Sequence, residues 1–149
     1  MKFILDNMFG KLAKFLRAAG YDTVYIKHNE REKLIPLAVS EQRILITKDS
    51  KIKNPDIKIH FLVENDLNEQ IKNVVKNFEL DYKNAFTLCV ECNKPLAKVP
   101  KESIKAKVPE RVFSTMDEFY SCENCGRVFW PGTHYDKIMK KLKEFIGGE

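Results

Sequence analysis

The chain has 149 residues, of which 26 are lysine or arginine and 21 are aspartate or glutamate, giving a net charge of +5. This length allows one ordinary domain and one small one, and a unit of about 50 residues rarely builds a sufficient core without a metal or a disulfide. No apolar run approaches the length of a membrane span, about 20 residues, and no signal-peptide pattern precedes the first predicted strand. We therefore expect a cytoplasmic protein that does not enter a membrane, and its modest positive charge suits a phosphate-bearing partner.

Strand and helix patterns alternate in the first part of the chain. An apolar run at Phe3–Leu5 predicts a strand, and apolar residues spaced three and four apart over 12–19 predict a helix that Gly20 closes. Further strands are predicted at 23–26, 44–47 and 58–63, and further helices at 34–39 and 66–78. The last of these helices opens with a capping box that begins at Asp66. Apolar strands separated by helices predict an α/β fold with a parallel sheet covered on both faces.

The pattern changes after residue 84, so we predict two domains, at residues 1–84 and 85–149. The second part carries three prolines and short strand-like segments between its cysteine pairs, which is typical of a β-ribbon with a long excursion. A last helix is predicted at 137–146, with apolar residues along one side. No low-complexity linker separates the two parts, so we expect them to pack together.

Two Cys-x-x-Cys pairs use every cysteine of the chain, namely Cys89, Cys92, Cys122 and Cys125. This spacing predicts one tetrahedral zinc site; two disulfides or a dithiol redox pair are the alternatives, and a reducing compartment disfavours disulfides. Asn93 and Gly126 follow the two pairs and tolerate the positive φ that a tight turn around a metal-bound thiolate requires. Because four thiolates complete the zinc shell, we expect a structural metal and a reaction centre elsewhere.

Two aspartates stand at the ends of predicted strands. Asp6 follows the first strand, and Asp49 comes shortly after the strand at 44–47. Ligands of open α/β sheets bind at the carboxyl ends of the strands, so the two side chains are expected at one edge. Clustered carboxylates favour a hard cation such as Mg²⁺ or Mn²⁺, which could activate water and hold a phosphodiester. The alternatives are a helix N-cap for Asp6 and a turn residue for Asp49.

The segments at 6–17, 20–23 and 43–49, together with the two cysteine signatures, resemble one known family. This is the PIN-like ribonuclease family named after the C-terminal domain of the Mut-seven exonucleases, in which a nuclease-like domain precedes a zinc ribbon. The resemblance covers nearly the whole chain. It implies a PIN-like fold, catalysis by a divalent metal and RNA as the substrate, with Asp6 and Asp49 as metal-binding acids.

One position departs from the family pattern. The family usually places an aspartate shortly before the second helix, where this chain has Arg31. Glu30 and Glu32 flank that position and could supply the missing carboxylate with a longer side chain. We take Glu30 as the third candidate catalytic acid and keep Glu32 as its alternative.

Basic and aromatic side chains are the candidates for RNA binding. Lys14 and Arg17 share a face of the first helix beside Asp6, and Lys48 precedes Asp49. In the ribbon, Arg127 and Trp130 combine a base with a ring that could stack on unpaired bases. The alternatives are a solvated helix face for Lys14 and Arg17, and packing within the protein for Trp130.

Three functions remain open at this point. The first is a ribonuclease that depends on Mg²⁺ or Mn²⁺, with a structural zinc ribbon that positions RNA. The second is a noncatalytic RNA- or ribosome-associated binding protein with a degenerate PIN-like site. Arg31 favours this alternative because it replaces the aspartate that the family usually has. The third is a protein–protein adaptor built on the zinc ribbon. The sequence leaves the oligomeric state open.

Overall fold

A computed structural model describes residues 1–146 of the chain and shows a mixed α/β protein. The first part contains β1 (Phe3–Leu5), α1 (Gly10–Ala18), β2 (Thr23–Tyr25), α2 (Leu34–Ser40), β3 (Ile44–Thr47), β4 (Ile59–Phe61) and α3 (Leu67–Phe78). The second part contains β5 (Leu96–Val99), α4 (Glu110–Thr115), β6 (Phe119–Cys122), β7 (Val128–Phe129) and α5 (Thr133–Phe145). Two 3₁₀ segments precede α2 and α4, at His28–Lys33 and Lys101–Lys107.

The first four strands form one parallel sheet in the order β2-β1-β3-β4. Leu5 of β1 pairs with Tyr25 on one side and Ile46 on the other. The chain therefore moves outward from β1 to β2 and then returns to the opposite side of β1. The direction of winding changes between β1 and β3, and at such a point the loops after the two strands diverge and leave a crevice. The predicted parallel sheet is confirmed.

Alternate residues of the central strands face opposite sides of the sheet. Phe3 and Leu5 join the buried residues of α1 and α3 in the larger core, whereas Ile4 packs with Leu34 and Ala38 on the α2 side. Both faces of β1 are fully covered, which explains why its sequence is apolar throughout.

Two helix termini in the first part follow their sequence signals. The Asp66 carboxylate accepts a hydrogen bond from the Glu69 backbone N–H at 3.1 Å, as the capping box predicts. Gly20 follows α1 with a φ of +98°, and a Cβ atom there would lie 2.3 Å from the Asn84 carbonyl oxygen. Both the backbone conformation and this close approach require glycine.

The second part is an antiparallel sheet, β5-β6-β7, whose cysteines lie near its turns. The excursion between β5 and β6 contains α4, which begins just after Pro109 and is missing from the sequence prediction. The last helix begins at Thr133, four residues before its predicted start at 137, and its Leu142 is buried in the core of the first part. The final residues of the predicted second domain, 147–149, lie outside the described residues. Within 1–146, no helix has the length and apolar character needed to cross a membrane.

Candidate active site and metal centre

Asp6 and Asp49 lie at the crevice between β1 and β3. The Asp6 backbone N–H donates to the Ile46 carbonyl at 3.0 Å, so the sheet hydrogen bonding continues to Asp6 itself. Asp6 is only 4% exposed, and one oxygen of its carboxylate accepts a hydrogen bond from the Thr47 hydroxyl at 2.8 Å. The Thr47 hydroxyl in turn accepts the Asp49 backbone N–H at 3.0 Å. Thr47, which the sequence analysis did not single out, therefore ties the two acidic positions together.

Arg31 lies between the two aspartates and contacts both. Its Nη2 donates to Oδ2 of Asp6 at 3.0 Å and to Oδ2 of Asp49 at 2.9 Å, and its Nε donates to Oδ1 of Asp6 at 3.1 Å. The contact with Asp6 is therefore bidentate, the strongest geometry for a guanidinium and a carboxylate. The side chain of Arg31 is 38% exposed, so this guanidinium lies at the mouth of the crevice.

These contacts keep both carboxylates ionised. Burial raises the pKa of Asp6, but hydrogen bonds from Arg31, Thr47 and the Asn7 backbone outweigh this effect and lower the pKa below its ordinary value. The hydrogen bond from Arg31 lowers the pKa of Asp49, and the Lys51 backbone N–H adds to the effect. The same two carboxylates raise the pKa of Arg31. The cluster is thus a charged triad.

The two glutamates beside Arg31 lie apart from this triad. The Glu30 carboxylate forms an ion pair with Lys33 at 3.0 Å within the same 3₁₀ segment. Glu32 is exposed. Among residues 1–146, the cysteines form the one group of three or more metal-ligating side chains that are close enough to share an ion. The proposed third acid is therefore not assembled with Asp6 and Asp49 in this conformation.

The chemistry of the donors at the crevice nevertheless suits a divalent cation. Two ionised carboxylates and the Thr47 hydroxyl supply the hard oxygen ligands that Mg²⁺ and Mn²⁺ prefer. The position between the carboxylates is taken by the guanidinium of Arg31. Asp6 and Asp49 could therefore share a divalent cation only if Arg31 turned away.

A cleft of about 310 Å³ opens around the triad. Its other lining residues are Asn7, Met8, Phe9, His28 and Lys48. The Lys48 ammonium group donates to the Asn65 side chain, which holds it near the rim. The cleft therefore brings Asp6, Asp49 and Lys48 together, as the sequence predicts.

The four cysteines converge in the second part of the chain. Their sulfur atoms all lie within 4.8 Å of one another, and the sulfurs of Cys89 and Cys125 are 3.8 Å apart. A regular tetrahedron with Zn–S bonds of about 2.3 Å has sulfur–sulfur distances of about 3.8 Å. No disulfide links these residues. The cluster can hold a metal ion such as zinc.

Matching turns present the two cysteine pairs. Asn93 and Gly126 adopt φ values of +62° and +76°, as the sequence predicts. Their backbone N–H groups donate to the carbonyls of Cys89 at 2.8 Å and Cys122 at 2.7 Å. The Asn124 side-chain amide donates to the Cys92 sulfur at 3.2 Å, a contact that would stabilise a thiolate.

Comparison with known protein families shows the family of this chain. The family model of the Mut7-C RNAse domain matches residues 1–142. The chain belongs to the Mut7-C RNAse domain family. Searches of curated proteins and of solved structures gave no match. The match covers both the parallel sheet and the cysteine cluster, so the two parts together form the family unit. Membership of this family suggests a ribonuclease-type function with RNA as the substrate.

Arg17 has a structural position in this Mut7-C protein. Arg17 is 9% exposed, and its Nε and Nη1 donate to the carbonyls of Thr23 at 2.9 Å and Val90 at 2.8 Å. Val90 lies inside the first cysteine pair, so Arg17 fastens α1 to the metal turn. Because Nε and Nη1 donate inside the protein, we assign Arg17 a structural role, and its contact with RNA phosphate stays a prediction. Lys14, one turn earlier, is largely exposed and pairs with Glu91 at 3.1 Å.

The two RNA-binding candidates in the ribbon, Arg127 and Trp130, have different surroundings. Arg127 is exposed, and its backbone and side-chain hydrogen bonds lower the pKa of the Cys125 thiol, which favours the metal-binding thiolate. Trp130 is half-buried and packs near Phe119, with ring centroids 6.3 Å apart. It also lines a second cleft of about 660 Å³ between the ribbon, α5 and the end of α1.

Proposed function

We propose that this Mut7-C protein is a ribonuclease that hydrolyses RNA phosphodiester bonds at the cleft around Asp6 and Asp49. The observation that carries the proposal is the convergence of these two ionised carboxylates at the switch point of the sheet. Family membership supplies the substrate class. The cleft also carries Lys48, so a phosphate entering it meets a cation beside the acids.

In this proposal, Asp6 and Asp49 hold a Mg²⁺ or Mn²⁺ ion during the reaction. Such an ion would lower the pKa of a bound water and offset the negative charge that develops on the phosphoryl oxygens. Asp6 is held by the Asn7 backbone and the Thr47 hydroxyl as well as by Arg31. It therefore keeps its orientation when the guanidinium leaves. Glu30 or Glu32 would complete the acid set only through a movement of the 3₁₀ segment.

The zinc ribbon is proposed to position the RNA. Phe129, Trp130 and Tyr135 line the second cleft, and Arg111 and His134 also line it. Unpaired bases stack on such rings whatever their sequence, at about 1–3 kcal/mol per base. Arg127 and Lys14 remain candidates for phosphate contacts because both are exposed. The ribbon would thereby add affinity for single-stranded RNA without choosing the scissile bond.

A second candidate is a noncatalytic RNA-binding protein, and one observation favours it specifically. Arg31 is paired with both carboxylates, and the third acid is absent from the cluster. If Arg31 never leaves, the cleft binds RNA through Arg31 and Lys48 and cleaves nothing.

Cleavage of a fluorescently labelled RNA by purified protein separates the two candidates. Ribonuclease activity predicts that Asp6→Asn and Asp49→Asn each remove most of the Mg²⁺- or Mn²⁺-dependent rate while RNA affinity and zinc content stay close to wild type. Asp56→Asn is the matched control because Asp56 is exposed and lies outside the cleft. RNA binding without cleavage under any divalent ion would instead support the noncatalytic candidate.

A further inference from the structure

We propose that Arg31 is a substrate-responsive counter-ion: it closes the metal position in the RNA-free protein and passes to an RNA phosphate when the substrate enters. The exchange would open the Asp6–Asp49 pair to a divalent cation only when RNA is present. This inference rests on the proposed function, since it assigns the order in which RNA and metal reach the same cleft.

The carboxylate oxygens of Asp6 and Asp49 already accept hydrogen bonds. Oδ1 of Asp6 accepts from Arg31 and from the Asn7 backbone at 2.8 Å, and Oδ2 accepts from Arg31 and from the Thr47 hydroxyl. Each oxygen has two lone pairs, so Asp6 has no acceptor site left. Oδ2 of Asp49, the oxygen nearest the triad, is also engaged by Arg31. A cation cannot share these oxygens without removing the guanidinium.

Positive and negative side chains are equal in number in the cleft. Its charged lining residues are two acids, Asp6 and Asp49, and two bases, Arg31 and Lys48. The RNA-free cleft is therefore neutral and offers no net attraction to a divalent cation. A phosphodiester adds a negative charge and competes with the carboxylates for Arg31, because a phosphate accepts the guanidinium fork as well as a carboxylate does. Phosphate and metal thus favour each other's binding.

The surroundings of Arg31 leave its side chain room to turn away from the aspartates. It lies in the 3₁₀ segment His28–Lys33, which has no buried residue and has non-helical backbone angles at Glu30. Its side chain is 38% exposed, and within residues 1–146 its Nη1 makes no hydrogen bond that meets normal geometry. An incoming phosphate can therefore contact Nη1 before the contacts with the aspartates break.

Mn²⁺ binding to the zinc-loaded protein, followed by electron paramagnetic resonance of free Mn²⁺, tests the closed state. Mn²⁺ prefers oxygen ligands and leaves the thiolate site undisturbed. Arg31→Gln should raise the Mn²⁺ affinity by about tenfold or more, within the range of ordinary coupling between ligands. Lys33→Gln is the matched control because it removes a positive charge two residues away that pairs with Glu30 instead. Its effect should be about twofold or less, since exposed charges are screened.

Adding Asp6→Asn to Arg31→Gln should abolish the gain, which locates the ion at the cleft. Arg31→Lys, which keeps the charge but loses the bidentate contact, should fall between wild type and Arg31→Gln. Equal Mn²⁺ affinity in wild type and Arg31→Gln would overturn the proposal.

A short 2′-O-methyl RNA tests the exchange. It should raise the Asp6-dependent Mn²⁺ affinity of the wild type by about tenfold, and Mn²⁺ should raise RNA affinity by the same factor. In Arg31→Gln the coupling should shrink to about twofold, since no guanidinium remains to be transferred. Coupling that is equal in both proteins, or absent from both, would contradict the exchange. Neither titration involves cleavage, so failure of the ribonuclease assignment would be seen separately, in the cleavage assay.

Discussion

Arg17→Ala should loosen the attachment of the zinc ribbon to the parallel-sheet part of the protein. The substitution removes two short hydrogen bonds from a buried guanidinium, to the carbonyls of Thr23 at 2.9 Å and Val90 at 2.8 Å. Charge-assisted hydrogen bonds contribute about 1.5 kcal/mol or more each, so the expected loss in the free energy of unfolding is about 3 kcal/mol. The longer contact to the Glu91 carbonyl, at 3.4 Å, adds little.

Lys14→Ala is the matched control for this prediction. Lys14 lies on the same helix and reaches the same turn, but its ion pair with Glu91 is solvent-exposed, with side-chain exposures of 57% and 36%. Such pairs contribute about 0–1 kcal/mol. Chemical denaturation can be followed by the fluorescence of Trp130, the single tryptophan of the chain, which lies in the ribbon. If Arg17→Ala and Lys14→Ala lose the same small amount of stability, the structural role assigned to Arg17 is wrong.

Three further predictions concern zinc, pH and RNA. A strong chelator, or Cys92→Ser, should unfold the ribbon before the parallel sheet, because ligation supplies on the order of 10 kcal/mol to small zinc modules; circular dichroism and Trp130 fluorescence would then change at different chelator concentrations. Burial raises the pKa of Asp22, but hydrogen bonds from Arg43 and Asn93 lower it overall. The stabilising contribution of the Asp22 carboxylate should therefore be complete above about pH 4 and be lost as the pH falls through the lowered pKa of the folded state. The difference in unfolding free energy between wild type and Asp22→Asn should accordingly shrink below about pH 4. Lys48→Ala should lower the magnitude of the log–log salt slope of single-stranded RNA binding by about 0.7, whereas an unchanged slope would remove Lys48 from the interface.

Much of the site follows from local sequence signals. The apolar runs ending near Asp6 and Asp49 identify parallel strands, and the fold then brings the ends of neighbouring strands to one crevice. The turns at Asn93 and Gly126 are equally local, because the cysteine spacing and the need for positive φ are both visible in the sequence.

Sequence signals are least informative where distant contacts decide the outcome. Arg17 resembles an exposed helix charge, and its burial depends on a carbonyl 73 residues away. The position of Arg31 between two acids depends on partners 25 and 18 residues away, and it lies in a 3₁₀ segment without a clear period. In the sequence, Pro109 suits a ribbon excursion, but a proline also suits the start of a helix, and α4 begins directly after it.

We propose that this Mut7-C protein cleaves RNA with a water molecule activated at the Asp6–Asp49 cleft. The most direct measurement compares wild type and Asp6→Asn, purified side by side, on an end-labelled RNA with Mg²⁺ or Mn²⁺ and identifies the chemistry of the product ends. We predict cleavage by the wild type alone, with no 2′,3′-cyclic phosphate, because water rather than the neighbouring 2′-hydroxyl attacks the phosphorus. Equal cleavage by both proteins, no cleavage by either, or cyclic phosphate ends would contradict it.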